Sequence, residues 1–381
     1  MNISEFCKIY TGTGFPIEYQ GKKNGKYPFY KVSDISISNT QQKIFLDNAN
    51  HYIDESDLSL LKGNLIPAGT IVFAKIGEAL KLNKRAITSC ECLIDNNVIG
   101  IKPDDNIINL LYFYYYLLKI DMLHYSESTT LPSVRKSTIE KIKVKIPPID
   151  IQNKRVTILN ICHKIIKYKV ELLHNLDLLV KSRFVEMFGD PNASRTKYKL
   201  VPIHTVTDCM VPGRDKPKSF TGEIPWITIN DLNINGYTNK SKLGLGLTID
   251  EVKEVNRKCV PQGSVLMSCV GNLGLCSIAS VDVVINQQLH SYQCNEFINN
   301  LYLMYYLSFK NTYMNKIASS TTVLYMNKNA CNNIPVLLPP IELQISFAKY
   351  LNRINKLKSD VQKSIDETQL LMDSLMQEYF G

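Results

Sequence analysis

Three stretches bring together residues that could do chemistry. "GTGFPIEYQGKK" (Gly12–Lys23) combines glycines and lysines, as a loop that cradles phosphate would. Such a loop needs a fixed spacing and a Ser or Thr directly after the Lys, and neither is present. "EVK" (Glu251–Lys253) resembles a fragment of a metal-dependent nuclease centre, but no second motif supplies its acidic partner and the first half of the chain has no counterpart. A DNA amino-methyltransferase would need an Asn/Asp-Pro-Pro-aromatic tetrapeptide, and the only Pro-Pro pairs are those in "IPPI" and "LPPI". Here an apolar residue precedes each pair, no aromatic follows, and no Gly-rich cofactor loop accompanies them. Six histidines lie far apart, so no proton relay is visible. Ten cysteines include no CxxC pair, Cys90 and Cys92 being the nearest. Structural zinc calls for clustered ligands, so buried, reduced thiols are expected. The chain is expected to do no chemistry itself and to hold no cofactor and no metal.

What the residue types do offer is charge and polar side chains on loops. The net charge of +9 favours an anionic partner, nucleic acid first. Lys75, Lys81, Lys84 and Arg85 crowd one Gly-containing stretch, and Arg135, Lys136, Lys141, Lys143 and Lys145 crowd another. No apolar run approaches the ~20 residues that span a bilayer. The opening "MNISEFCKIY" lacks the basic-then-apolar order of a signal peptide, so a cytoplasmic protein is expected.

These loops need a frame, and the frame is written twice. "KIPPIDIQ" (Lys145–Gln152) returns 192 residues later as "LLPPIELQ" (Leu337–Gln344). At that offset identities continue without a gap over residues 128–189, from Ser128-Thr129-Thr130 on Ser320-Thr321-Thr322 to Phe188-Gly189 on Phe380-Gly381. Upstream, with gaps, "KYPFYKVSDI" matches "EIPWITINDL", "LIPAGTIVFAKIGEAL" matches "CVPQGSVLMSCVGNLG", and "LYFYYYL" matches "LYLMYYL". Between these anchors the halves differ almost completely, as two copies of one scaffold with different specificities would.

Residues 150–187 and 342–380 read as long helices, free of Gly and Pro inside and with two interleaved heptads each, apolar in the first and broken by Ser364 and Thr368 in the second. In the first these are Ile158, Ile165, Leu172, Leu179 and Leu159, Ile166, Leu173, Val180. In the second they are Tyr350, Leu357, Ser364, Leu371 and Ile354, Val361, Thr368, Leu375. At about 1.5 Å per residue each is roughly 55 Å long. The economical partner for each seam is the other copy, antiparallel and related by a pseudo-twofold axis. The remaining globules read as mixed α and β, with strands in "GTIVFAKI", "KIKVKIP", "PWITI", "GSVLMSCV" and "NIPVLLP". Each also carries one Tyr-rich helix, Ile108–Lys119 and Ile298–Lys310, whose aromatics at helical spacing are expected in the core.

The order globule, long helix, globule, long helix, together with "IPWITINDL", "PAGTIVFAKIG", "STT…IKVKIPPIDIQ" and the helix end "FGDP", resembles the specificity subunit of type I restriction-modification systems over essentially the whole chain. The resemblance implies two target recognition domains, residues 1–149 and 190–341, separated by helical regions 150–189 and 342–381. Each domain would read one half of a bipartite, asymmetric double-stranded DNA target. The helices would space the readers and dock two modification (methyltransferase) subunits, with restriction subunits joining through the complex. S-adenosylmethionine, ATP and Mg²⁺ would belong to those partners. One departure is that "MNISEFCKIY" leaves almost nothing ahead of the first domain, where some relatives carry a further segment.

Base readout takes polar side chains on a fixed frame, and phosphate contact takes Lys and Arg. By loop position and chemistry the DNA-binding candidates in the first domain are Lys31, Lys81, Asn83, Lys84, Arg85, Thr129, Thr130, Arg135 and Lys136. In the second they are Arg214, Lys216, Lys218, Thr228, Asn272, Ser320, Thr321, Asn327 and Lys328. Two readings of other classes stand beside this one. A diverged methyltransferase or nuclease would show activity in the purified chain, and a coiled-coil scaffold would bind no DNA.

Overall fold

A computed structural model describes the chain except for Lys62, Glu127–Thr130, Ser194, Arg214 and Thr321–Thr322. It divides into two compact units, one of Met1–Leu172 with Val361–Gly381 and the other of Leu173–Asp360.

In the first unit a five-stranded sheet is built from β1 (Cys7–Thr11), β2 (Phe45–Leu46), β3 (Ile71–Ala74), β4 (Arg85–Thr88) and β5 (Val98–Pro103), in the order β1-β5-β3-β4-β2. In the second, β6 (Thr207–Met210), β7 (Tyr237–Thr238), β8 (Val265–Ser268), β9 (Cys276–Ala279) and β10 (Leu289–Cys294) take the order β6-β10-β8-β9-β7. Strand for strand these are one topology, antiparallel throughout except the last pair of each, β4/β2 and β9/β7, which is parallel. A three-stranded sheet accompanies each, centred on Tyr27–Tyr30 and on Ile224–Ile227. β3 and β8 are buried along their whole length, which explains why both read as unbroken apolar runs and not as an alternation. The expected strand in "KIKVKIP" is a correction. Its Lys143 makes only an isolated bridge to Asn2, because the chain turns into a 3₁₀ helix at Ile3 and cannot extend the ladder.

The Tyr-rich helices are α1 (Leu110–Lys119) and α3 (Asn300–Ser308), both core elements as expected. Their hydroxyls are matched to acceptors, Tyr115 donating to Asn160 Oδ1 at 2.8 Å, and Tyr302 and Tyr306 to the carbonyls of Leu337 and Pro335 at 3.0 Å. A buried phenol keeps its proton when its oxygen has such a partner, so these rings are packing groups and not stacking platforms.

The long helices are α2 (Ile149–Phe188) and α4 (Ile341–Phe380). Within each unit the two segments run antiparallel. In the first, Arg155 donates to the Tyr379 carbonyl at 2.8 Å, while Lys169 reaches Ser364 Oγ at 2.6 Å and Thr368 Oγ1 at 3.2 Å. In the second, Lys358 pairs with Asp177 at 2.6 Å, and the Phe184 ring meets Phe347 with centroids 5.2 Å apart. The polar seam positions Ser364 and Thr368 are thus explained by the amine they accept. Of the two apolar heptads on α2, only one is inside. Leu159, Ile166 and Val180 are buried and Leu173 is half-buried, whereas Ile158, Ile165, Leu172 and Leu179 are exposed.

The repeated Pro-Pro-apolar-acid-apolar-Gln stretch is the joint between globule and long helix. Gln152 and Gln344 are both fully buried. Gln152 Oε1 accepts from the Asn109 backbone N–H at 2.8 Å, and its Nε2 donates to the Pro147 carbonyl at 2.8 Å. Gln344 does the same with Asn299 and Pro339, at 2.9 and 2.8 Å, and donates further to the Phe297 carbonyl at 3.1 Å. Asn109 and Asn299 in turn cap α1 and α3 through their side-chain oxygens. One buried amide therefore locks the start of the long helix to the start of the Tyr-rich helix in each unit. Gln344→Ala leaves that N–H and two carbonyls without partners in a dry core. We expect it to lower the stability of the second unit by about 2–4 kcal/mol, measured by urea unfolding. A loss under about 0.5 kcal/mol would contradict the locking role.

Candidate nucleic-acid interface

In each unit the strand that leaves the middle of the sheet continues into a rim held by a second segment. After β3, Lys75–Gly77 runs beside Pro132–Val134, with Gly77 N–H donating to the Pro132 carbonyl at 2.8 Å and Val134 N–H to that of Lys75 at 2.9 Å. After β8, Cys269–Gly271 runs beside Leu324–Met326 with the same pair of bonds, Gly271 to Leu324 at 2.8 Å and Met326 to Cys269 at 2.9 Å. Gly77 and Gly271 have φ of 74° and 72°, a left-handed backbone that a Cβ would strain, so both copies need glycine here.

This antiparallel pairing joins two sequence-distant segments that both carry candidates. In the first unit exposed Arg135 and Lys136 follow the bridge on one segment and Lys81 and Lys84 follow it on the other. In the second, exposed Asn327 and Lys328 follow it on one segment and exposed Asn272 on the other. Lys31 joins from another direction. It is half-buried, its Nζ donates to Gln20 Oε1 at 3.2 Å, and the carbonyl just before it, of Tyr30, accepts the Asp95 N–H. Lys216 is exposed and lines a cleft with Phe220, Trp226, Arg257 and the turn Asn286–Gln288. Three lysines are shared with carboxylates, Lys81 with Glu78 at 2.6 Å, Lys136 with Glu140 at 3.9 Å and Lys218 with Glu254 at 3.4 Å. These are exposed pairs that an arriving phosphate can displace at little cost. Thr129, Thr130, Arg214 and Thr321 lie outside the described residues, as does the side chain of Ser320.

Three candidates belong to the fold instead. Arg85 is fully buried over the Phe73 ring, its guanidinium donating to the Asn83 carbonyl and Oδ1 at 2.9 and 2.6 Å and to the Ile120 carbonyl at 3.0 Å. Burial pushes its pKa down to about 9, which leaves it charged at neutral pH. Asn83 spends its amide on Arg85 and on the Leu118 carbonyl, in a left-handed conformation with φ of 50°. Thr228 donates both its N–H and its hydroxyl to Asp231 Oδ2, at 2.8 and 2.7 Å, closing a helical cap. Glu251, the carboxylate of "EVK", is likewise structural. Hydrogen bonds from Ser219, the Thr248 backbone and Thr221 hold its pKa down to about 2.

Among the described residues no cluster of His, Cys, Asp and Glu could hold a metal ion, and no helix is long and apolar enough to cross a membrane. The cysteines depart in part from expectation. Cys92, Cys162, Cys269, Cys276 and Cys331 are buried, but Cys90 is exposed and the others are half-buried.

Sequence reasoning passed over two polar turns, Asp95–Asn97 and Asn286–Gln288. Each is held at the rim by the strand end beside it, Lys75 N–H donating to the Asn97 carbonyl at 2.9 Å and Cys269 N–H to that of Gln288 at 2.8 Å. The signal was available, since "IDNNV" and "INQQL" are matched polar triplets between apolar runs.

Two residues beyond the second turn, His290 is buried and its pKa is lowered to about 4 by burial. The unfolded chain, with an ordinary pKa of 6.5, binds the proton first as pH falls. This contribution is therefore complete above pH 6.5 and is lost on the way down to about 4, amounting to about 3 kcal/mol. We expect His290→Gln to flatten the loss of second-unit stability between pH 6.5 and 4.5, measured by urea unfolding. An unchanged slope would mean that His290 does not carry it.

Residues 1–176 and 206–368 match the family model described as the type I restriction modification DNA specificity domain. A putative type I restriction enzyme MjaX specificity subunit from Methanocaldococcus jannaschii is 22% identical over 356 residues, covering 89% of this chain and 82% of its own. The MjaIX specificity subunit of the same organism is 23% identical over 184 residues, 48% of this chain and 43% of its own. Among solved structures, a chain from work on complex assembly and conformational transition of the type I R-M system aligns with a TM-score of 0.61 at 16% identity, covering 100% of this chain and 96% of that one. The type I restriction-modification S subunit from M. genitalium gives 0.55 at 11% identity, covering 100% and 95%. At these identities the two structures show a likeness of fold.

Proposed function

The chain belongs to the type I restriction-modification DNA specificity family, and from that premise we propose that it reads a bipartite, asymmetric DNA target and docks the subunits that modify it. Residues 1–149 read one half and residues 190–341 the other. The observation that carries this reading is the rim: the same strand order and the same backbone hydrogen bonds occur twice, bearing unlike exposed side chains. A fixed frame with variable polar tips is what direct readout requires.

Lys31, Lys81, Lys84, Arg135 and Lys136 serve the first half as phosphate contacts, and Lys216, Lys218 and Lys328 serve the second. Asn272 is assigned to base contact, as is Asn327, whose Oδ1 is already used as a helix cap by accepting the Ala330 N–H at 2.9 Å and which would have to meet a base through its amide nitrogen. Thr129, Thr130, Arg214, Ser320 and Thr321 are kept as candidates by their place in the sequence beside these rims. Family members of this kind recognise DNA without catalysing its modification, so the chemistry and its cofactors belong to partner subunits, in the cytoplasm. Docking of two such subunits is supported by α2, where Ile158, Ile161, Ile165, Tyr168 and Leu172 stand exposed at helical spacing on one face. An apolar stripe of this kind is suited to a partner helix.

Duplex binding by the chain assembled with its modification subunits tests the proposal. Affinity should fall steeply with added salt, by close to one power of salt concentration per phosphate contact, and one DNA sequence should bind far more tightly than random duplex. Binding without salt dependence or sequence preference would reject it.

A further inference from the structure

We propose that each long helix carries a docking face for one helix of a modification subunit. On α2 the face is Leu178, Leu179, Ser182 and Glu186, and on α4 it is Leu370, Leu371, Ser374 and Glu378. The proposal rests on the reading of the chain as a specificity subunit that docks such partners, and it names where they sit.

The two faces are identical residue for residue, at the offset that relates the two halves of the chain. Leu178, Ser182 and Glu186 follow at steps of four and Leu179 stands three before Ser182, so all four share one side of the helix. The opposite side is the one turned inward, with Val180 and Phe184 buried on α2 and Met372 and Met376 buried on α4. All four leucines are exposed, by 45 and 48% on α2 and by 69 and 54% on α4. The serines and glutamates beside them are exposed as well. Each face falls wholly within one compact unit, that of α4 in the first and that of α2 in the second. Each unit therefore offers one site.

This recurrence has no source inside the fold. Packing accounts for Leu159 and Leu351, which match and are both buried. Along the docking face, however, the inner side differs between the helices, Val180 standing where α4 has Met372 and Phe184 where it has Met376. Exposed leucines scattered singly are ordinary, but a pair repeated in place over a changed inner side is not scatter. Such an outer side is held alike by something outside the chain. DNA is not that something, since the two halves meet unlike sequences. What both helices can meet in common is one kind of protein partner, taken twice. The apolar stripe on α2 cannot serve both. Its Ile161, Tyr168 and Leu172 are replaced on α4 by Arg353, Asp360 and Ser364, so it can extend the footprint on one helix only.

The side chains set the kind of partner. Two leucines with a serine one turn further on suit the apolar seam of a facing helix. The glutamate at the end calls for a basic side chain on that helix. Glu186 is shared with Arg183 at 2.8 Å, an exposed pair that such a side chain displaces at little cost.

The test counts modification subunits bound to the full chain by native mass spectrometry over a concentration series. The parental chain should take two. Leu178→Glu with Leu179→Glu should weaken one binding step about 100-fold or more and leave the other unchanged. Leu370→Glu with Leu371→Glu should do the same to the other step. All four together should leave none bound where the parent is saturated. Glu forms helix about as well as Leu, so Tm should stay parental. Should a variant lose Tm, Glu186→Arg and Glu378→Arg carry the test, each weakening its own step. Val170→Glu, at an exposed apolar position where α4 has Gln362, should leave both steps parental. Two subunits retained by the fourfold variant, or both lost from either double variant, would overturn the assignment. So would equal damage from Val170→Glu, or a parental chain that pairs with itself through these leucines. If the parental chain binds no modification subunit, it is the docking reading that has failed.

Discussion

Exchanging residues 190–341 for the corresponding domain of another family member is expected to give a complex that recognises a new second half-site and an unchanged first one. The change in preference should be complete, because one mismatched pair already costs about 1–3 kcal/mol and a half-site contains several. The physical basis is that each unit closes its own core. In the second unit one apolar cluster runs from Leu176 through the sheet and α3 to Ile354, all of it within that unit. The graft must nonetheless fit the helices it lands on. Phe184, Phe188 and Phe347 are fully buried and pack against Tyr302 and Tyr305, both of which lie inside the exchanged segment. A donor domain with smaller residues at Tyr302 and Tyr305 should fold poorly, and restoring the two tyrosines should rescue it. Sequencing of the methylated product decides the matter. A change in both half-sites would contradict independent readers.

Arg85→Ala and Lys84→Ala should have opposite signatures although the residues are neighbours. Removing Arg85 leaves two buried carbonyls without donors and opens a cavity against Phe73. The first unit should lose about 3 kcal/mol or more, seen as a lower Tm. Lys would not substitute, since one ammonium cannot span acceptors on both sides as the planar guanidinium does. Lys84→Ala should leave Tm unchanged, weaken specific and random duplexes alike, and lower the salt slope by about one. An Arg85→Ala protein as stable as the parent, with weakened DNA binding, would return Arg85 to the interface.

That pair also marks the limit of what the chain discloses before it folds. Duplication was legible because the joint tolerates no substitute: Gln152 and Gln344 must each present an acceptor and a donor to backbone inside a core, so the surrounding residues recur together. The long helices were legible because nothing in them breaks a helix. Which of two apolar heptads on α2 turns inward was not, since Ile158 and Leu159 are equally apolar and only packing decides that Leu159 is the buried one. Arg85 was misassigned because its burial depends on distant parts of the chain, the Ile120 carbonyl just beyond α1 and the Phe73 ring, neither of which its sequence neighbours reveal. The polar turns were passed over because Asn and Gln between two strands read as an ordinary loop. Only the hydrogen bonds to Tyr30, Ile227 and the rim reveal that these turns are held still.

The most direct measurement is the sequence that the assembled complex modifies, read by methylation-sensitive sequencing of host DNA with and without this chain. Two short specified half-sites of unlike sequence, separated by a spacer of fixed length and free composition, are predicted to appear only when the chain is present. A single uninterrupted motif, or methylation independent of the chain, would contradict the account of two readers on one duplicated frame.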